Sequence, residues 1–81
     1  MDMTREEIRD VVRENIRRRR AELGLSQIEA AARANIAQPS WARFESGAAS
    51  PRLEVLADIA VALQTQPDAL LSPQVFSAIS G

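Results

Sequence analysis

The sequence contains neither cysteine nor histidine. The first absence excludes a disulfide framework and a thiolate metal site, and the second removes the commonest metal ligand and general base of enzymes. Catalysis would have to rest on carboxylates or hydroxyls alone, and these side chains show no clustered spacing. We therefore expect a protein that is not an enzyme and that uses no metal ion and no cofactor.

Long apolar runs are also missing. No stretch approaches the roughly 18 residues of a membrane span, and no signal peptide precedes the charged N-terminus. These absences predict a soluble, cytoplasmic protein with no membrane partner. The 81 residues suffice for one small domain, 1–81, and because small domains are only marginally stable alone, a partner subunit would help.

Lysine is absent as well, and ten arginines oppose eleven acidic residues, giving a net charge of −1. Such a balance counts against strong non-specific binding of nucleic acid, which usually comes with a basic domain. The distribution of charge matters more, because Arg17 to Arg20 form an unbroken run that can make a local basic stripe. For Arg17 and Arg18, a position along the backbone of DNA and an ordinary solvated face fit equally well, and Arg20 also fits a structural role.

Capping signals predict the first two helices. Thr4 and Ser26 are each followed by glutamate three residues later, which is the pattern of a capping box, and apolar residues then recur at helical spacing. The first helix is expected over about 5–23, and the second is expected to end at Ala34. Asn35 tolerates the left-handed conformation that a tight turn between helices requires.

Proline and apolar spacing predict the remaining helices. A third helix is expected over 37–46, with Trp41 facing the core. Pro51 and Pro67 predict the starts of a fourth and a fifth helix, and Ser72-Pro73 predicts one more, because proline at the first helical position loses no hydrogen bond. The apolar face of the fourth helix comprises Leu53, Leu56, Ile59, Ala60 and Leu63. The pattern indicates an all-α chain of five or six short helices.

Three short motifs occur together. They are Gly24-Leu25-Ser26-Gln27 at the start of the second helix, Phe44-Glu45-Ser46-Gly47 at the end of the third, and Pro51, Leu53-Glu54 and Leu56 at the start of the fourth. At this spacing the chain resembles the lambda-repressor and Cro (XRE-like) helix-turn-helix family over about 12–71, leaving 72–81 as a C-terminal segment. The resemblance implies a lambda repressor-like DNA-binding domain with its helix-turn-helix at helices 2 and 3, and helix 3 in the major groove.

The resemblance also implies roles for individual residues. The residues expected to read bases on helix 3 are Gln38, Pro39, Ser40 and Arg43. The residues expected to contact phosphate are Ser26, Gln27, Ser46, Ser50 and Arg52. Gln27 would also brace the start of helix 3, and Arg20 with Glu45 matches a pair that forms a buried ion pair in family members. Arg43 is the most informative of these residues, since arginine can bind guanine through two hydrogen bonds.

Several positions depart from the family pattern, and two of these departures bear on function or packing. Ala48-Ala49 stands in the loop after helix 3, where family members often carry lysine or arginine, so the expected phosphate clamp is weaker here. Arg19 stands where many members have an apolar residue, and Leu23 is expected to compensate.

These observations predict a sequence-specific DNA-binding transcriptional regulator, a repressor that binds a palindromic operator in double-stranded DNA as a homodimer. The residues expected at the dimer contact are Leu70, Leu71, Val75, Phe76 and Ile79. The alternative is an antitoxin-like protein-interaction module whose main partner is another protein. The net acidity and the Ala48-Ala49 loop favour this alternative.

Overall fold

The computed structural model describes residues 2–73, which form five α-helices and no strand. The helices are α1 (Arg5–Glu22), α2 (Gln27–Ala34), α3 (Gln38–Ser46), α4 (Leu53–Ala62) and α5 (Pro67–Leu71). The predicted all-α architecture is confirmed. The further helix expected after Ser72-Pro73 lies outside the described residues. Within 2–73, no helix combines the length and the apolar character needed to cross a membrane.

The two predicted capping boxes are both present. The Thr4 hydroxyl accepts from the Glu7 amide at 3.1 Å, and the Thr4 amide donates to the Glu7 carboxylate at 2.8 Å. The Ser26 hydroxyl and amide make the matching bonds with Glu29 at 3.0 and 2.8 Å. Because the first amides of a helix have no partner within it, these side chains fix where α1 and α2 begin.

The start of α4 differs from the prediction. Pro51 does not open the helix; Arg52 is extended, with φ −71° and ψ 168°, and serves as the N-cap, so α4 begins at Leu53. Leu53 itself is 75% exposed, and the buried face of α4 begins at Leu56. The chain therefore stays extended for longer after α3 than the proline signal suggested.

One hydrophobic core lies between the helices. Its fully buried large side chains include Ile16 of α1, Trp41 of α3, and Ile59 and Leu63 at the end of α4. The turn from α2 to α3 passes through Asn35, whose φ of 58° places it in the left-handed region, as predicted. This turn lets α3 follow α2 closely, with Trp41 pointing into the core.

Two polar residues of α1 hold distant carbonyl groups. The buried Asn15 amide donates to the carbonyl oxygens of Leu70 at 2.9 Å and Ser72 at 2.8 Å, at the end of α5. The Arg19 guanidinium donates to the carbonyl oxygens of Leu63 at 2.9 Å and Gln64 at 3.1 Å. The last carbonyls of a helix lack partners within it, so these side chains cap α5 and α4. Arg19, which stands where many family members have an apolar residue, therefore caps the end of α4.

Candidate nucleic-acid interface

The outer face of α3 carries the residues predicted to read bases. Trp41 and Glu45 point inward and are buried, whereas Pro39 and Arg43 lie on the opposite side and are exposed. Gln38 and Ser40 are partly exposed at the N-terminal end of the helix. Helix α3 therefore has one face that is buried against the rest of the protein and an opposite face that is open to solvent.

Gln27, at the start of α2, connects that polar face to the interior. Its side-chain oxygen accepts from the Gln38 amide at 3.1 Å, and its own amide donates to a Glu45 carboxylate oxygen at 3.1 Å. The predicted brace between the start of α2 and the start of α3 is thus a direct hydrogen bond. This bond limits the rotamers that the Gln38 side chain can adopt.

The Glu45 carboxylate sits at the centre of a polar network. Arg20 donates to its two oxygens from Nε at 2.6 Å and from Nη2 at 2.9 Å, and the Trp41 indole donates from Nε1 at 2.5 Å. The Glu45 side chain is 5% exposed and that of Arg20 is 19% exposed, so the pair is largely buried. A two-pronged pair of this kind fixes α1 against the end of α3.

Opposing effects set the pKa of Glu45. Burial alone raises the pKa of this carboxyl group, but the hydrogen bonds from Arg20, Trp41 and Gln27 and the positive charge of Arg20 outweigh burial, so the pKa lies below its usual value. The bond to Glu45 in turn raises the pKa of Arg20. Both partners are therefore charged at neutral pH.

Two of the residues expected to contact phosphate are helix N-caps. Ser26 is the N-cap of α2 and Arg52 is the N-cap of α4, so each stands at a helix N-terminus, where amides and the helix dipole favour an anion. Ser46 donates to the Arg43 carbonyl oxygen at 3.1 Å, and Ser50 accepts from Arg9 Nε at 2.9 Å. These two hydroxyl groups help to hold the loop that follows α3.

Arg43 and Arg52 are two exposed cations on α3 and at the start of α4. Among residues 2–73, neither guanidinium takes part in an ion pair with an acidic side chain. This contrasts with the arginine run of α1, in which Arg17 pairs with Glu14 at 2.8 Å. The run Arg17 to Arg20, predicted as a possible basic stripe, is therefore largely neutralised by ion pairs with acidic side chains. The positive charge at α3 and at the start of α4 comes instead from Arg43 and Arg52.

The residues predicted for the dimer contact divide into three groups. Leu70 is only 2% exposed and packs in the core. Asn15 of α1 donates a hydrogen bond to its carbonyl oxygen and so holds α5 against α1. The prediction that Leu70 lies at a dimer surface is therefore wrong. Leu71 is 44% exposed and remains on the surface. The other three residues lie outside the described range; they are Val75, Phe76 and Ile79.

Helix α4 carries an exposed apolar strip that the sequence pattern did not indicate. Leu53 is 75% exposed and Val61 is 78% exposed, and Ala57, which lies four residues from each of them, is exposed as well. Residues four apart are neighbours on the surface of a helix, so the three form one strip along α4. A helix with a single buried face needs apolar residues at only one stripe. The sequence feature that could have indicated this strip is the number of apolar residues in α4, which is larger than one buried stripe requires.

Comparisons with known proteins agree with this architecture. A family model described as a helix-turn-helix domain matches residues 12–73. The crystal structure of a hypothetical transcription factor, NHTF, from Neisseria is similar in fold, with a TM-score of 0.85 and 23% sequence identity over 100% of this chain and 94% of that chain. No curated protein matches the sequence significantly. Because the helix-turn-helix model spans most of the chain and includes all five helices, at least in part, this protein belongs to the helix-turn-helix domain family.

Proposed function

We propose that this protein is a transcriptional regulator, a repressor that binds a palindromic operator in double-stranded DNA as a homodimer. The observation that carries the proposal is the solvent-facing side of α3, where Arg43 is exposed and the partly exposed Gln38 side chain is held by Gln27. A helix-turn-helix places such a face in the major groove, which an α-helix fits. Such a protein works in the cytoplasm, with the DNA, and needs no cofactor and no catalytic group.

The chemistry of the exposed face suits the reading of bases. Arginine binds guanine, and glutamine binds adenine, through paired hydrogen bonds in the major groove. Pro39 has no N–H to donate and offers an apolar surface, and Ser40 can donate or accept. We assign base reading to Gln38, Pro39, Ser40 and Arg43. We assign phosphate contacts to Ser26, Gln27, Ser46, Ser50 and Arg52.

Arg43→Ala is expected to weaken binding to the cognate operator by about 1–3 kcal/mol and to relax discrimination at one base pair in each half-site. The reason is that a base contact specifies sequence, whereas a phosphate contact only orients the protein. The measurement is the affinity of the wild type and the variant for operator sites selected from random duplexes and for all their single-base variants.

Arg52→Ala is the matched control, because it removes the same charge from an exposed side chain at the start of α4. It is expected to weaken binding to every sequence alike and to reduce the salt slope by about 1. If Arg43→Ala lowers the affinity for every operator variant equally, then Arg43 is a phosphate contact and the assigned reading face is wrong.

The proposed homodimer places two α3 helices about 34 Å apart, so that inverted half-sites lie one helical turn apart. We assign the dimer contact to Leu71 together with Val75, Phe76 and Ile79. A chain that ends at Pro73 is expected to be a folded monomer that binds the operator poorly. Ending there keeps Ser72, whose carbonyl oxygen accepts from Asn15 at 2.8 Å, so α5 retains its cap.

Sedimentation of the shortened chain beside the full chain tests this assignment. Phe76→Asp in the 81-residue chain is the companion variant, since it removes one apolar side chain without removing the backbone. A dimer that survives both changes places the contact elsewhere, and Leu53 with Val61 on α4 is then the surface to alter next.

The same exposed strip on α4 favours a second function, an interaction module whose main partner is another protein. Leu53 and Val61 expose most of their apolar surface, and the net charge of −1 brings little general attraction to DNA. Retention on heparin or on random DNA at low salt separates the two functions, because phosphate binding falls steeply with salt concentration. A protein that fails to bind either matrix is not the proposed repressor.

A further inference from the structure

One edge of α1 lies along the segment that follows α3, and the two run in opposite directions. Arg20 bonds to Glu45, and Arg9 Nε donates to the Ser50 hydroxyl at 2.9 Å. Between these contacts, a Cβ placed on Gly47 would lie 3.1 Å from Cδ of Arg13. Spacings of four and seven residues put the three arginines on the same side of a helix. Arg9 and Arg13 therefore flank the loop 47–51.

That loop carries no positive charge of its own. Its sequence is Gly-Ala-Ala-Ser-Pro, and it leads from the recognition helix α3 to Arg52, the N-cap of α4. Both ends of the loop thus adjoin residues that the proposed function places on DNA. The backbone of DNA bound to α3 would pass this loop, and a cation beside it would lie within reach of a phosphate.

Arg9 has donors to offer there. Only its Nε is used by Ser50, and within residues 2–73 its guanidinium enters no ion pair. Arg13 pairs with Asp10 at 3.1 Å, but the two side chains are 37% and 66% exposed, and a pair in that setting is weak enough to exchange for a phosphate. Arginine binds phosphate oxygens through its fork of N–H donors, with one donor of Arg9 left to hold the loop.

We propose that Arg9 and Arg13 of α1 bind phosphates of the DNA backbone beside loop 47–51, and so supply the charge that Ala48-Ala49 lacks. This inference rests on the proposed DNA-binding function and adds α1 to the binding surface. It also explains how a chain with a net charge of −1 can hold DNA, because the cations are concentrated beside α3.

The test measures binding of the 81-residue chain to a random-sequence duplex over a series of salt concentrations. Arg9→Gln and Arg13→Gln remove the charge but keep a long polar side chain. Each is expected to weaken binding roughly tenfold at low salt and to reduce the slope of log K against log salt by about 1 per bound subunit, with about 2 for the double variant.

Three controls separate a phosphate contact from a structural role. Arg17→Gln removes an exposed arginine of the same helix that is paired with an acid three residues earlier, like Arg13, and should leave the slope unchanged. Ser50→Ala removes the bond that holds the loop, and with it the phosphate contact assigned to this hydroxyl group, but it keeps the charge of Arg9. Its affinity should fall while its slope stays the same, because an uncharged hydroxyl group displaces no counterion from DNA. Arg9→Lys keeps the charge and should retain the slope if Arg9→Gln loses it.

The outcomes are distinct. An unchanged slope in the Arg9→Gln/Arg13→Gln double variant overturns the inference while leaving the proposed function intact. An equal loss in Arg17→Gln overturns it too, because the effect would then follow net charge rather than position. A wild-type protein that binds neither heparin nor random duplex at low salt refutes the proposed function and this inference together.

Discussion

Arg20→Met is expected to destabilise the fold by about 3–5 kcal/mol, since it leaves Glu45 as a buried charge without its ionic partner. The Glu45 side chain is 5% exposed, so water cannot replace the guanidinium. Arg20 also donates to the Leu25 carbonyl oxygen at 2.8 Å, and that bond is lost as well. A loss of this size is comparable with the whole stability of a domain this small, about 3–5 kcal/mol. Thermal unfolding followed by circular dichroism measures it.

Arg17→Met is the matched control, because Arg17 belongs to the same helix and also pairs with a glutamate, but in an exposed setting. It should change stability by less than about 1 kcal/mol. A double-mutant cycle of Arg20→Met with Glu45→Gln isolates the pair, and coupling should be large and stabilising. Additive single effects would show that the two side chains contribute independently and that the ion pair is not what ties α1 to α3.

The same pair predicts how stability depends on pH. The pKa of Glu45 is lower in the folded protein than in the unfolded chain, so its contribution is complete above the unfolded value of about 4.3 and is lost as pH falls through the folded value. Stability should therefore fall on acidification below about pH 4.3. In the Arg20→Met variant, the pKa of Glu45 in the folded protein should rise toward its value in the unfolded chain. The share of the stability loss on acidification that comes from Glu45 should therefore shrink.

Trp41→Ala is the second large effect, with an expected loss of about 3–5 kcal/mol. The Trp41 side chain is fully buried within the hydrophobic core, so its truncation to alanine leaves a cavity. The cavity can close only if α3 shifts toward the core. The variant also removes the indole donor to Glu45. Urea unfolding gives the change in free energy.

Trp41→Phe separates these two contributions. Phenylalanine keeps most of the apolar volume but has no N–H, so the variant reports mainly the hydrogen bond to Glu45, worth about 1.5–3 kcal/mol because the acceptor is charged. Trp41→Phe should therefore be clearly milder than Trp41→Ala. Equal losses in the two variants would assign the effect to the hydrogen bond rather than to packing.

Features of the fold that depend on residues close together in the sequence are predictable from it. Thr4 and Ser26 cap their helices through glutamates three residues away, and Asn35 takes the left-handed conformation that its side chain tolerates. The sequence predicts the start of α4 at Pro51, because proline fits a first helical turn. That rule permits a start but does not require one, and here the chain remains extended through Arg52.

Long-range polar contacts were not predictable. Asn15 and Arg19 bond to carbonyl groups more than 40 residues away, and no local pattern states which helix ends will lie beside α1. Leu70 was assigned to a dimer surface for the same reason, since its burial depends on the packing of α5 against α1. The pairing of Arg20 with Glu45, and the bond between Gln27 and Gln38, were anticipated because the family resemblance carried information about spatial neighbours.

The position of Trp41 gives the molecule an optical reporter of its own. It is the only tryptophan, and the sequence contains no tyrosine, so almost all ultraviolet-excited emission comes from one ring. That ring is buried on the inner side of α3 and bonded to the carboxylate that Gln27 also contacts. Its emission should shift to longer wavelength when the ring meets water on unfolding. Its intensity should also respond when a ligand on the outer face disturbs Gln38, so unlabelled protein can be used to follow both folding and binding.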